Sequence, residues 1–193
     1  MKSAILAAAF TLLASMAMAA EKYVLDPSHS QIVFSYNHLG YSTGYGMFSG
    51  FEGEITFDRQ NPAHSRVAVS IHVLSILTGW EERFNQFMSD EFFGAAEGDM
   101  ITFTSTGIEV TGETTARITG NLTMNDVTQS VVLDATLNQI GPHPMEGKEW
   151  AGFDATTTLK RTDFNLGAFA PFISDEVYVT ISVEAMKVQS DNS

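Results

Sequence analysis

The chain has 193 residues, no cysteine, and 23 Asp+Glu against 10 Lys+Arg, for a net charge of −13. Without thiols there are no disulfides, thiolate metal sites or cysteine nucleophiles. The acidic balance repels phosphate backbones and anionic lipid surfaces, so nucleic acid is not an expected partner.

Lys2, the apolar run Ala4–Met18 and the small-x-small triplet Ala17-Met18-Ala19 have the form of a secretory signal peptide. Residues 1–19 are therefore expected to be removed on export to the periplasm, leaving no membrane-spanning segment. Residues 20–193 are then one domain of 174 residues with a net charge of −14, long enough for a real core.

From there, period-two alternation runs nearly to the end of the chain, the pattern of strands with one face buried. Ile32, Phe34, Tyr36 and His38 alternate with Val33, Ser35 and Asn37. Gly44, Gly46, Gly50 and Gly53 punctuate the next segment, up to Ile55 and Phe57, and predict bends, bulges or close backbone approach. After a turn at Asn61-Pro62, the strand Ser65–Ser75 places Val67, Val69, Ile71 and Val73 on one face, with Arg66, Ala68, Ser70 and His72 on the other. Ile101–Ser105 and Ile108–Thr111 read as two short strands broken at Gly107. Ile118, Gly120, Leu122 and Met124 lead to a turn at Asn125-Asp126, and Val131, Leu133, Ala135 and Leu137 follow. Beyond a loop at Gly141–Gly147 come Phe153, Ala155, Thr157 and Leu159, then Val177, Val179, Ile181, Val183 and Ala185. About eight strands of this kind close a small barrel. The expected fold class is all-β: a single antiparallel eight-stranded barrel.

Thr78–Gly98 departs from this period. Phe84, Phe87 and Met88 have helical i, i+3, i+4 spacing, and Ser89-Asp90-Glu91 is suited to cap a second short turn. A helical insert near residues 79–95, rich in aromatics, serves as a lid on the barrel or as a cap burying its own rings. Arg83 stands within it, suited to bind a phosphate or carboxylate, or to pair with a nearby Glu.

The signatures of common enzymes are missing: no Gly-x-Ser-x-Gly, no His-Glu-x-x-His, no phosphate-cradling loop followed by Lys. Ser28-His29-Ser30 sets a hydroxyl beside a base, but on a strand adjacent side chains face opposite ways. The pairs Glu81-Glu82, Asp90-Glu91 and Asp175-Glu176 read as solvated faces. No catalytic residue, metal ligand or catalytic cofactor is expected. The alternatives are an enzyme acting on a hydrophobic substrate, through His38, Arg83 or Asp163, and a structural barrel with a filled core.

Several blocks, in order, resemble the YceI-like family of exported, lipocalin-like proteins. They are Tyr23-x-Leu25-Asp26-Pro27-x-His29-Ser30, Phe34-x-Tyr36-x-His38-Leu39-Gly40, Gly46-x-Phe48 and Gly53-x-Ile55-x-Phe57-Asp58. Next come Ser75-Ile76-x-Thr78, Arg83, Ser89-x-Glu91-Phe92-Phe93 and Ile101-Thr102-Phe103-x-Ser105-Thr106. Gly120-x-Leu122-Thr123-Met124 with Val127-Thr128, Arg161-x-Asp163-Phe164 and Asp175-x-Val177 complete the match. Phe84 stands where the family usually has Asp, Gln86 where it has His, and Asp126 and Asn165 where Gly is common. The first two make a less polar pocket mouth.

The resemblance implies an elongated apolar interior holding a long isoprenoid or similar amphiphilic lipid, such as a polyprenyl chain or isoprenoid quinone. Physical chemistry supports a long tail, since each methylene withdrawn from water contributes roughly 0.8 kcal/mol. The expected role is a periplasmic carrier or binding protein, with a homodimer left open. Candidate ligand contacts are Phe34, Tyr36, Val69 and Ile71 on strands and Trp80, Arg83, Phe84, Phe87, Phe92 and Phe93 in the insert. The blocks of the resemblance add His38, Phe48, Phe103 and Phe164.

Overall fold

The alternating segments form eleven strand segments and one helix in a computed structural model that describes residues 20–189. The expected signal peptide, 1–19, lies outside the described residues. The segments are β1 (Glu21–Leu25), β2 (Gln31–His38), β3 (Ser42–Ser49), β4 (Glu52–Phe57), β5 (Arg66–His72) and β6 (Ile76–Leu77). After α1 (Glu81–Met88) come β7 (Met100–Val110), β8 (Thr115–Met124), β9 (Val127–Pro142), β10 (Glu149–Lys160) and β11 (Glu176–Lys187). All pairings are antiparallel. Three pairs of consecutive segments act as single bent strands: β1 pairs with β4 while β2 pairs with β3, and β4 pairs with β5 while β3 pairs with β6. β11 closes the ring, pairing with β2 through Tyr178–Ser182 and with β1 through Ala185–Lys187. The result is a closed eight-stranded barrel. Among the described residues no helix is long and apolar enough to cross a membrane.

Several expected boundaries shift, each for a physical reason. The strand Ser65–Ser75 ends at His72, where its ladder to β7 stops at Met100; Val73–Ser75 is a 3₁₀ turn and Val73 is buried within it. The break at Gly107 is a β-bulge within one continuous strand, β7. Ser89-Asp90-Glu91 does open a short turn over residues 90–93, but the Ser89 side chain does not cap it. Instead the Ser89 hydroxyl donates to the Gln86 carbonyl, and its own carbonyl accepts from Phe92 and Gly94, which ends α1 and reverses the chain. β1 carried no separate expectation, although Tyr23 and Leu25 alternate and are buried. Asn125, Asp126 and Asn165 all have positive φ (51°, 59° and 58°). That is the left-handed region where glycine is commonest and Asn and Asp are best tolerated, so Asp126 and Asn165 can stand at positions that suit glycine.

Packing is uneven around the ring. Tyr23, Phe48, Phe51, Ile55, Ile71 and Ile101 form a tightly buried cluster spanning β1, β3–β5 and β7. Below it, the Tyr23 hydroxyl donates to Glu149 and accepts from Arg59, which pairs with Glu21 and Glu149; Lys187 joins both carboxylates. Burial pushes the Tyr23 hydroxyl well above its ordinary range, while its hydrogen bond to Glu149 holds that carboxylate low.

At the opposite end, the chain between β10 and β11 is held by Arg161. Its guanidinium donates to the carbonyls of Ser174, Leu166, Ala168 and Ile173 at 2.7–3.0 Å. Arg161→Met keeps much of the side-chain volume but strips these acceptors of their donors. At roughly 1 kcal/mol per partly buried acceptor, the loss of four should be about 4 kcal/mol. A guanidinium chloride titration against wild type reads it; an unchanged midpoint would show that the loop is held by other means.

Candidate functional site

The cavity follows from what the strands place inside. On β9 the inward residues are Val131, Leu133, Ala135 and Leu137, and on β11 they are Val177, Val179 and Ile181; all line one cavity. An eight-stranded ring can be filled by side chains or left open around one ligand, and here these side chains leave a cavity. Many of them remain half-accessible although they face inward, whereas Tyr23, Phe51 and Ile55 are packed tight. The cavity measures about 720 Å³, in the upper part of the range of small-molecule sites. Its walls are mostly aliphatic and aromatic, with polar groups such as His38, Arg83, Glu113 and Asp154 among them.

α1 and the turn after it complete the wall. β6 pairs with β3 only at Met47 and Phe48, leaving β3 from Ser42 to Gly46 unpaired on that side. The Phe87 ring lies 6.3 Å from Tyr36, and the Phe93 ring 6.5 Å from Phe48. Glycines opposite the large rings create the room they use. A Cβ on Gly46 would fall 2.2 Å from Phe34, and one on Gly44 2.4 Å from Tyr36. Close approach, rather than bulging, is therefore why these two are glycine.

Most of the candidate contacts meet in the cavity: Phe34, Tyr36, His38, Phe48, Val69, Ile71, Arg83, Phe87, Phe92, Phe93 and Phe103. Three do not. Trp80 precedes α1 in extended backbone and is exposed; Phe84 packs against the barrel core; Phe164 is buried beneath the 3₁₀ turn Arg161–Phe164. On α1, Arg83, Gln86 and Phe87 line the cavity; Phe84 and Phe87 both pack against the core, and of these two only Phe87 also reaches the cavity. Val73, counted among the inward residues, also lies outside the lining.

Two arginines line the cavity at the α1 end, and they are not equivalent. Arg161 is committed to four backbone carbonyls, and burial lowers its affinity for a proton. Arg83 donates one hydrogen bond, 3.1 Å to the Thr78 carbonyl, and among the described residues no carboxylate pairs with it. The ion pair considered for it is thus not formed, and its remaining donors are free. His38 and Gln86 line the same end; Asp163 does not, so the three residues named for an enzyme do not converge.

Ser28 and His29 lie in the β1–β2 turn rather than on a strand, and their side chains touch at 3.1 Å. Both are bound to Asp26, whose hydrogen bonds hold its carboxyl low and raise the His29 imidazole. Ligating atoms of Asp26, His29 and Glu184 fall within 4.8 Å of one another, a grouping that residue spacing had not suggested. It lies outside the cavity lining. Sequence reading also missed the lining residues Leu166 and Ile173, because their loop has no period to betray which way it folds. The same holds for Gly112–Ala116 at the opposite, β7–β8 hairpin end.

The YceI-like domain family matches residues 23–185. A UPF0312 protein of Ectopseudomonas mendocina (strain ymp) is 39% identical over 178 residues, covering 91% of this chain and 92% of its own. Protein YceI of Salmonella arizonae is 42% identical over 173 residues, covering 89% of each. Among solved structures, the Campylobacter jejuni YCEI protein superposes with a TM-score of 0.70 at 29% identity, over 79% of this chain and 90% of its own. A domain from Saccharophagus degradans, described as polyisoprenoid-binding and implicated in plant cell wall breakdown, shares the fold at a TM-score of 0.67 and 16% identity, over 89% of this chain and 100% of its own. With this closed barrel and a family match over most of its length, the chain belongs to the YceI-like domain family.

Proposed function

We propose that this protein binds one long-chain amphiphilic lipid, an isoprenoid or isoprenoid quinone, with the tail in the barrel and the polar head beside Arg83. The observation that carries this reading is the continuous apolar cavity of about 720 Å³ inside a closed barrel. If a hydrocarbon chain is about 4 Å wide, set by carbon–carbon contact distances, this volume takes on the order of 50 Å of chain. A neighbour in fold described as polyisoprenoid-binding supports the same class of ligand. No bond is made or broken in this reading; the protein carries or stores its ligand, and works in the periplasm after losing residues 1–19.

The free donors of Arg83 suit a carbonyl or anionic head, and a charge-assisted hydrogen bond there contributes roughly 1.5–3 kcal/mol. Arg83→Ala should weaken binding of a headed isoprenoid about ten- to a hundredfold and barely change that of a headless hydrocarbon of equal length. Titrating both ligands against both proteins decides it. Equal losses would make Arg83 a support of the fold, and no loss would remove it from the site. Ile71→Asp, which buries an unpaired carboxyl, should damage binding and folding together.

Export has its own test. N-terminal sequencing of the cellular protein should find Ala20 first, in the periplasmic fraction. An intact Met1 in the membrane fraction would overturn it.

A further inference from the structure

Large apolar side chains stand exposed around the α1 end of the barrel. Leu39 and Tyr41 lie on the β2–β3 turn, Trp80 just before α1, and Phe169 and Phe172 on the β10–β11 loop. Tyr41 is 91% exposed and Phe172 74%. The segments that carry them are tied together: the Leu39 amide donates to the Phe172 carbonyl at 3.0 Å, and His38 bridges Ile173. Leu39 and Phe169 have φ of 57° and 62°, a conformation bulky residues seldom adopt. The patch continues into the cavity, since the Phe169 ring lies 6.2 Å from Phe92, which lines it.

We infer that this rim docks on a zwitterionic phospholipid bilayer and that the ligand enters and leaves there. The inference rests on the proposed function: a cargo too apolar to cross water must pass directly between cavity and bilayer, and the rim adjoins the cavity's α1 end. Tyrosine and tryptophan favour the headgroup level, with the ring in the acyl boundary and the polar group in water. Arg83 and Lys160, which line the cavity, offer cations to lipid phosphates at this end. Glu81 and Glu82 beside Trp80, with Asp90 and Glu91 beside Phe92, oppose a densely anionic surface. A headgroup bearing both charges answers both sets.

The test is flotation of wild type and of Tyr41→Ser/Phe172→Ser with phosphatidylcholine vesicles. Neither residue lines the cavity, so a separate titration with a short-tailed quinone in solution reads the cargo site alone. The apolar run 4–18 would itself bind lipid if retained, so the two proteins are compared with identical N termini, verified by mass. The double variant should partition at least about tenfold more weakly, with solution affinity unchanged within about twofold. Wild-type partitioning should fall when phosphatidylglycerol is added at low salt and recover as salt screens the repulsion. Equal flotation of both proteins would overturn the inference. So would a wild-type dimer that the double substitution dissolves, since the rim would then belong to a second copy. Flotation without quinone binding would leave the docking face standing and sink the cargo reading instead.

Discussion

Everything in this molecule depends on closing the sheet. Once β11 pairs with both β1 and β2, the wall is hydrogen-bonded from strand to strand except along Ser42–Gly46 of β3, the gap beside α1, and no long edge is left to protect. Closure at eight strands also fixes a diameter that side chains can either fill or leave open around one ligand, and here they leave it open. The backbone ladder holds the wall, so the interior does not have to be solid. On the β1–β4–β5 side Tyr23, Phe51 and Ile55 are tightly buried, with Phe51 and Ile55 forming part of the cavity wall; on the β8–β11 side Ile118, Leu133, Ala135 and Val177 stand more open to the same cavity. An unfilled apolar wall loses dispersion contacts, so a ligand filling the cavity would stabilise the fold by mass action.

The ends of the barrel are chemically distinct. Beneath the packed side, Tyr23, Arg59, Glu149, Glu21 and Lys187 form a charge network over an aromatic layer in which Phe57 packs edge-on against Tyr23 and Phe153. The α1 end carries the aromatic rim, the uncommitted guanidinium of Arg83, and a loop fixed by Arg161. An amphiphile therefore meets an asymmetric container. Its tail is accepted anywhere along the apolar wall, but a polar head finds unspent arginine donors beside α1.

The strands were legible because their alternation is the direct imprint of one buried face. Val131 to Leu137 and Val177 to Val183 could be assigned from residues alone, and so could the helical spacing of the insert. The interruptions were harder. Whether Gly107 breaks a strand or bulges it depends on the partner strand, and whether Gly44 bends the chain or admits Tyr36 depends on what lies opposite. Phe84 and Phe87 are equally aromatic and both pack against the core, and only the seating of α1 on the barrel lets Phe87 alone of the two reach the cavity as well. Arg83 and Arg161 looked alike as cations. What separates them is a loop with no period, whose carbonyls occupy one guanidinium and leave the other free. The width of the cavity was the least legible feature, since the same alternation builds a filled barrel and a hollow one.

The claim that the barrel is a container for a single long lipid is tested most directly by native mass spectrometry of the protein purified without detergent, followed by identification of whatever it releases. The account predicts a complex heavier than the polypeptide by one molecule, released into organic solvent as a long-chain isoprenoid bearing a small polar head. A polypeptide that carries nothing from the cell and takes up none when offered polyprenyl lipids would contradict it.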